Sequence, residues 1–215
     1  MSIDDLIFGI RRRRSRHKRI LNAERDFHLA LLDLKPGDIT IDCGANVGLY
    51  TRFLARSGAT VHAFEPDPFA FDELRKNTSA LPNVHLHQAA VGIADGEIEL
   101  FRSTQFDKDP LNRTVDSSII PGQKHLSSAN AVKVKLVSLP AFIARLGTLV
   151  SLLKMDIEGV EVEILETLIA NKMSDQVLRA FVETHESTHH RLKARTFNLV
   201  RHAKTHLPNW NLDWA

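Results

Sequence analysis

The amino-acid sequence predicts a doubly wound α/β fold: a Rossmann-like, mostly parallel sheet with helices on both faces and a basic helical extension at the N-terminus. Three observations lead there. From Ile39 onward, short apolar runs alternate with amphipathic ones, the pattern of strands joined through helices. The first run, Ile39 to Asp42, opens into the turn Gly44-Ala45-Asn46-Val47-Gly48, so strand, glycine loop and helix follow in the order of a nucleotide site. Seventeen residues after Gly48 the second run ends in Glu65, an acid at the tip of the next parallel strand, where it would accept hydrogen bonds from both hydroxyls of a ribose.

Residues 1–38 read as a helical extension running through Leu21, Phe27, Leu29 and Leu32 with a solvated basic face, closed by the turn Lys35-Pro36-Gly37-Asp38. Residues 39–215 read as a single domain. Its expected elements are strand Ile39–Asp42, helix Leu49–Ser57, strand Thr60–Glu65, helix Pro68–Ser79, and strands Val84–Gln88, Ile98–Arg102 and Val132–Val137. Helix Leu139–Leu146, strand Ser151–Asp156, helix Val160–Asn171, strand Val177–Thr184 and a last helix from about Ser187 to Thr205 complete the alternation. Asp67 caps the second helix and Pro68 takes its first position, where a missing N–H is harmless. Between Phe101 and Val132 lies a polar segment of about thirty residues without periodicity, a length that marks functional or disordered loops. At the carboxyl end of the sheet it would form a lid carrying Ser117 and Ser118.

With 215 residues and 43% hydrophobic content, the chain fills one substantial core and is too short for two ordinary domains. Its one cysteine, Cys43, excludes an intramolecular disulfide. No apolar run approaches a membrane span, no apolar signal segment opens the chain, and Asp4 and Asp5 count against a transit peptide, so a cytoplasmic protein is expected. Eight of the 28 basic residues and three of the 26 acidic ones fall in the first 25 positions, leaving 20 against 23 in the remainder. The basic character therefore belongs to the extension, through Arg11 to Arg14, Arg16, Lys18, Arg19 and Arg25, which is either a solvated helix face or an arm for nucleic acid or anionic lipid.

A dinucleotide fingerprint runs G-x-G-x-x-G, whereas this loop runs D-x-G-x-N-x-G, with a carboxylate in front and no glycine facing the pyrophosphate. Asp42 would repel a pyrophosphate and suit a cation. S-adenosylmethionine carries an ammonium and a sulfonium and no phosphate, which points to methyl transfer with Asp42, Gly44, Ala45, Asn46, Gly48 and Glu65 as candidate donor-binding residues. The plainer reading of Gly44 and Gly48 is helix–strand packing.

Ligands of an open parallel sheet lie outside the carboxyl ends of its strands, near the point where strand order reverses. One strand there ends in Asp156-Ile157-Glu158-Gly159 and another in Glu183-Thr184-His185-Glu186. Asp156, Glu158, Glu183 and His185 are therefore expected around one crevice as the catalytic group. A hydroxyl acceptor would give its proton to His185 or a carboxylate, while orientation supplies much of the remaining acceleration. The structural alternative reads Glu158 and Glu161 as acids stabilising a helix start. Clustered carboxylates facing a hydroxyl would also suit a divalent cation such as magnesium, for which the sequence names no set of ligands.

Five segments resemble the FkbM family of S-adenosylmethionine-dependent methyltransferases: DCGANVG at 42–48, FEPDP at 64–68, AAVG at 89–92, KMDIEGVEVEIL at 154–165 and ETH at 183–185. The likeness covers residues 39 to about 186. It implies a class I methyltransferase fold, methionine-end contacts at Asp42, Gly44 and Asn46, ribose contacts at Glu65, and adenine packing near Pro66, Gln88 and Ala90. It also implies a hydroxyl acceptor on a sugar, polyketide or other small molecule. A class I sheet closes with an antiparallel hairpin, for which only Trp210 to Trp214 remain.

Rival readings have their own signatures. His185-Glu186-Ser187-Thr188-His189 spells the HExxH of zinc proteases, but that motif works on a helix, and here it follows the strand-like run Arg179 to Val182. A nicotinamide oxidoreductase is opposed by Asp42 and the missing glycine. A binding protein that keeps the scaffold without turnover is opposed by the intact Asp42, Glu65 and Asp156. Among methyltransferases, neither an Asn/Asp-Pro-Pro-Tyr/Phe tetrad nor a Pro-Cys nucleophile is present, which favours an oxygen acceptor. RNA stays as an alternative substrate because of the arginine-rich extension.

Overall fold

The computed structural model describes residue 18, residues 20–110, residue 114 and residues 117–120, 126–185 and 192–214. Helix α1 covers residues 20–33 and leads into β1 (Ile39–Cys43), α2 (Leu49–Arg56), β2 (Thr60–Phe64), α3 (Pro68–Thr78) and β3 (Val84–His87). Then come β4 (Ala90–Gly92), β5 (Gly96–Ser103), β6 (Leu126–Ser138), α4 (Leu139–Leu146), β7 (Val150–Met155), α5 (Glu161–Ala170), β8 (Ala180–Val182), α6 (Lys193–His206) and β9 (Trp210–Asn211).

Six strands form the main sheet in the order β3-β2-β1-β7-β8-β9, every pair parallel. Chain order reverses between β1 and β7, which sets the switch point beside the glycine loop. The two-residue period of β1 then sorts its side chains: Ile41 and Cys43 join the core under α4, α5 and α6, while Thr40 and Asp42 point to the other face. That other face is covered by α1 and α2, whose Ala23, Phe27, Ala30, Leu54 and Ala55 pack with Val61, Leu152, Phe181 and Trp214. The alternation expected of a doubly wound sheet is therefore present, with helices on both faces.

Several details differ from expectation. The buried stripe of α1 is Ala23, Phe27 and Ala30, continued by Leu34 just past its end, whereas Leu21, Leu29 and Leu32 are exposed. The strand expected over Val177–Thr184 narrows to Ala180–Val182, because a short 3-10 turn at Ser174–Gln176 leaves Val177 with only an isolated bridge to Val150. The polar segment after Phe101 contributes half of a long strand: β6 pairs antiparallel with β5 and parallel with β4, making a second, three-stranded sheet. Its polar residues carry no alternation; there Leu126 and Ser127 pair with Ser103 and Arg102, the register shifts before Val132, and the Asn130 side chain donates to the Ser103 carbonyl. At the end of the chain, β9 runs parallel to β8 rather than forming an antiparallel hairpin, and Trp210 donates from its ring to the Val177 carbonyl. No helix among the described residues is long and apolar enough to cross a membrane.

Candidate functional site

The glycine loop is shaped by contact with its neighbours. Gly44 has φ +76°, and a Cβ there would stand 1.8 Å from the Asp156 carbonyl oxygen, so a side chain would drive the ends of β1 and β7 apart. The backbone fixes the rest: Asp156 N–H donates to the Cys43 carbonyl, and the Gly44 and Ala45 N–H groups both donate to the Phe64 carbonyl. Asn46 takes a left-handed conformation, φ 47°, and its side-chain oxygen accepts from Val47 N–H and from the Thr114 hydroxyl.

Glu65 closes the tip of β2. It is buried, and its two carboxylate oxygens accept from Asn46 N–H at 2.8 Å and Asp67 N–H at 2.9 Å. Burial raises its pKa to about 7 against the opposing pull of those two N–H groups. Asp67 caps α3 as the sequence predicts, accepting from Phe69 and Ala70 N–H, and also takes two hydrogen bonds from Arg102 of β5. That pair ties the second sheet to the main one.

Behind the loop sits a buried ion pair. Asp42 and Lys154 are register partners across β1 and β7, both essentially inaccessible, with Nζ 3.3 Å from Asp42 Oδ1. Thr51 donates to Oδ2 at 2.6 Å, and Lys154 donates to the Gly44 carbonyl at 2.7 Å. Burial alone would lower the Lys154 pKa, but Asp42 and Asp156 outweigh it and raise it, so the ammonium is kept. The rings of Tyr50 and Trp214 lie 5.5 and 5.6 Å from that ammonium.

A cluster of acids surrounds His185 at the ends of β7 and β8. Its Nε2 stands 3.3 Å from Glu158 Oε1, 3.7 Å from Asp156 Oδ1 and 3.8 Å from Glu183 Oε1. Its Nδ1 lies 2.8 Å from Oε1 of Glu161, which is fully buried and also accepts from the Ile157 and Gly159 N–H groups. The loop 156–159 thus wraps around the Glu161 carboxylate, with Glu158 at φ 62°. Burial would lower the His185 pKa, but its contacts with Glu158 and Glu161 raise it to about 11. Burial also raises Glu183, to about 7, with Asp156 adding to the shift, and burial raises Asp156 against the attraction of Lys154.

One cavity joins these parts. Its walls include Gly44, Asn46, Glu65, Pro66, Ala90, Asp156, Glu158 and Glu183, and Leu100, Thr114 and residues 117–119 of the inserted segment form its roof. Ser118 anchors that roof by donating to the Glu158 carbonyl and by pairing its backbone with Phe101.

Five expected site residues lie away from the cavity. Asp42 does not reach the cavity: it is fully buried and its charge is met by Lys154, so it cannot face a ligand cation directly. Gln88 is exposed and lies outside the cavity, because the chain leaves β3 before it. Ala45 and Gly48 shape the loop from behind, Ala45 buried against Ala63 and Leu74 and Gly48 as the left-handed N-cap of α2. His185 does not line the cavity: its side chain is nine-tenths buried, with Nδ1 on the Glu161 carboxylate. Sequence analysis assigns Lys154, Thr51 and Thr114 no role and places Glu161 at a helix start; the signal for Lys154 is that it is the lone charge in the apolar run Ser151 to Met155. Glu186 to His189, the start expected for the last helix and the arginine-rich run lie outside the described residues.

An acid-tipped β2 beside a glycine loop at the switch point of a parallel sheet places the chain in the Rossmann-like class. The methyltransferase FkbM domain matches residues 42–201, and the chain belongs to that family. It is 30% identical over 143 residues to Methyltransferase 1 of Beauveria bassiana (strain ARSEF 2860), covering 60% of this chain and 57% of that protein. Over 48 residues it is 50% identical to the 31-O-demethyl-FK506 methyltransferase FkbM of Streptomyces tacrolimicus, covering 21% of this chain and 18% of that one. The chain thus spans little more than half, or less, of these relatives. A solved structure described as a putative rRNA-methylase from Clostridium thermocellum aligns over 85% of this chain and 81% of its own, at 13% identity and a TM-score of 0.42.

Proposed function

We propose that the protein is an S-adenosylmethionine-dependent O-methyltransferase acting on a hydroxyl of a small molecule or sugar. The observation that carries this reading is the single cavity in which the glycine loop and Glu65 meet Asp156, Glu158 and Glu183. The donor fits the residues present. Each Glu65 oxygen accepts one backbone N–H and keeps capacity for a ribose hydroxyl, and the bare Gly44 lets the loop close against the Asp156 carbonyl. Pro66 and Ala90 offer apolar walls for the adenine, and Gly44 and Asn46 face the methionine end.

The bound donor supplies an electrophilic methyl group on sulfur. The loop and Glu65 orient it, and the roof excludes water. With the donor bound, the acceptor oxygen would take the methyl group as the carbon–sulfur bond breaks, and Asp156, Glu158 or Glu183 would take the hydroxyl proton. Asp42 acts one layer back, holding Lys154 on the Gly44 carbonyl. The basic extension favours RNA as the alternative acceptor.

Calorimetry with S-adenosylhomocysteine tests the donor site: one molecule bound per chain is expected, weakened about tenfold or more in Glu65→Ala. Transfer of a labelled methyl group is then measured against hydroxylated small molecules, amines and RNA. Absence of S-adenosylhomocysteine binding overturns the reading, label on RNA replaces the acceptor, and binding without transfer to any acceptor leaves a binding protein on this scaffold.

A further inference from the structure

The geometry points to a divalent transition-metal site formed by Asp156, Glu158 and His185, with Glu183 at its edge and Glu161 orienting the imidazole. One ligand atom from each of the three residues lies within 4.8 Å of the others. Two ligands held ~2.1 Å from one centre stand about 3.0 to 3.4 Å apart, depending on whether the geometry is octahedral or tetrahedral. Nε2 and Glu158 Oε1 already span 3.3 Å, and Asp156 Oδ1 at 3.7 Å needs to close by only a few tenths of an ångström. Both carboxylates are partly exposed on the cavity wall, so the site has an entry path and open coordination positions.

The histidine is a second, separate observation. Its side chain is nine-tenths buried, which withdraws Nε2 from solvent while aiming it at three carboxylate oxygens. Glu161 already accepts two backbone N–H groups and, as a carboxylate, can only accept from Nδ1, so the hydrogen is assigned to Nδ1 and Nε2 becomes the nitrogen that faces the acids. A histidine held through its far nitrogen by a buried carboxylate is the outer-shell arrangement of metal sites. A proton on Nε2 is the competing occupant. A charge-assisted N–H···O contact settles at about 2.7 to 2.9 Å, whereas these three oxygens stand 3.3 to 3.8 Å away and share the nitrogen among them.

One imidazole with two or three carboxylates suits Mn²⁺, Fe²⁺ or Zn²⁺ rather than the all-oxygen shell of Ca²⁺ or the thiolate shell of Cu⁺. Such an ion would bind the acceptor hydroxyl and lower its pKa before the methyl group arrives. That catalytic role rests on the proposed methyl transfer, whereas the site itself does not.

The test is titration of the full, chelator-stripped chain with Mn²⁺ alone, following loss of the free-ion signal by electron paramagnetic resonance. One ion per chain is expected, with affinity reduced about tenfold or more in His185→Ala, Glu158→Gln and Glu161→Gln. Circular dichroism and thermal unfolding report whether each variant folds, and Glu158→Gln, whose side chain is partly exposed, keeps the test open if the other two do not. Glu65→Ala should leave Mn²⁺ affinity unchanged, and S-adenosylhomocysteine calorimetry on the stripped chain reads the donor site separately. If neither Mn²⁺ nor Zn²⁺ binds stoichiometrically to wild type, or if folded variants bind as tightly, the metal site is refuted whatever the donor does. Mn²⁺ bound without any S-adenosylhomocysteine binding refutes only the methyl-transfer reading.

Discussion

Replacing Lys154 with methionine removes the ammonium beside Asp42 while keeping an unbranched side chain of similar length in the strand. The carboxylate it leaves is fully buried, with Thr51 as its remaining hydrogen-bond donor. Breaking a buried pair by deleting one partner destabilises by about 3 to 5 kcal/mol, since the surviving charge has neither water nor a counter-ion. For a chain of this size that corresponds to about 6 to 20 °C in the unfolding midpoint. Urea unfolding supplies the free energy, and Asp42→Asn with Lys154→Met supplies the control. With both charges gone the desolvation penalty is gone too, so the double variant should recover much of the loss. S-adenosylhomocysteine affinity should fall in both, because the 2.7 Å bond from Lys154 to the Gly44 carbonyl is absent in each. A Lys154→Met chain within about 1 kcal/mol of wild type, or a double variant no more stable than the single, would refute the idea that this pair holds the loop.

Gly44→Ala places a methyl group 1.8 Å from the Asp156 carbonyl at φ +76°, so thermal unfolding should show a loss above about 2 kcal/mol and calorimetry a matching collapse of donor affinity. Wild-type affinity in that variant would remove the close approach from the account. Glu65 has a folded pKa raised to about 7 from 4.5, so the folded state holds its proton longer than the unfolded chain does. Its contribution to stability is therefore full below 4.5 and lost as pH rises through 7, while donor affinity, which needs the ionised acceptor, rises over the same interval. Urea unfolding and calorimetry at several pH values should show both slopes in wild type and neither in Glu65→Gln; identical slopes in the two chains would dismiss the assignment.

Much of this architecture is legible in the sequence because its signals are local. β1, the glycine loop and α2 read as one unit since apolar run, Gly44 and amphipathic run are contiguous, and Asp67-Pro68 announces α3 by the chemistry of its first turn. Asp156, Glu158, Glu183 and His185 are gathered because each follows directly from a strand end, so topology alone brings them together. What escapes the sequence is set by partners distant in the chain. Lys154 meets Asp42 only through the β1–β7 register, so nothing near Asp42 reveals that its charge is already answered. Glu161 looks like any acid at a helix start until the loop 156–159 folds over it. The first half of β6 is invisible because its residues carry no two-residue period and the partners that hold it, Arg102 and Ser103, lie well before it in the chain.

The position of Cys43 has a practical outcome. It is the sole cysteine of the chain, fully buried in β1, and burial together with the Asp42 charge pushes its ionisation far above neutral pH. Only a thiolate attacks a maleimide or a disulfide reagent, so this sulfur should stay silent toward labels in the native protein. A reporter cysteine placed at an exposed position such as Thr104, just past β5, would then take a fluorophore or spin label alone. The natural chain is already a clean background for a single probe beside the second sheet.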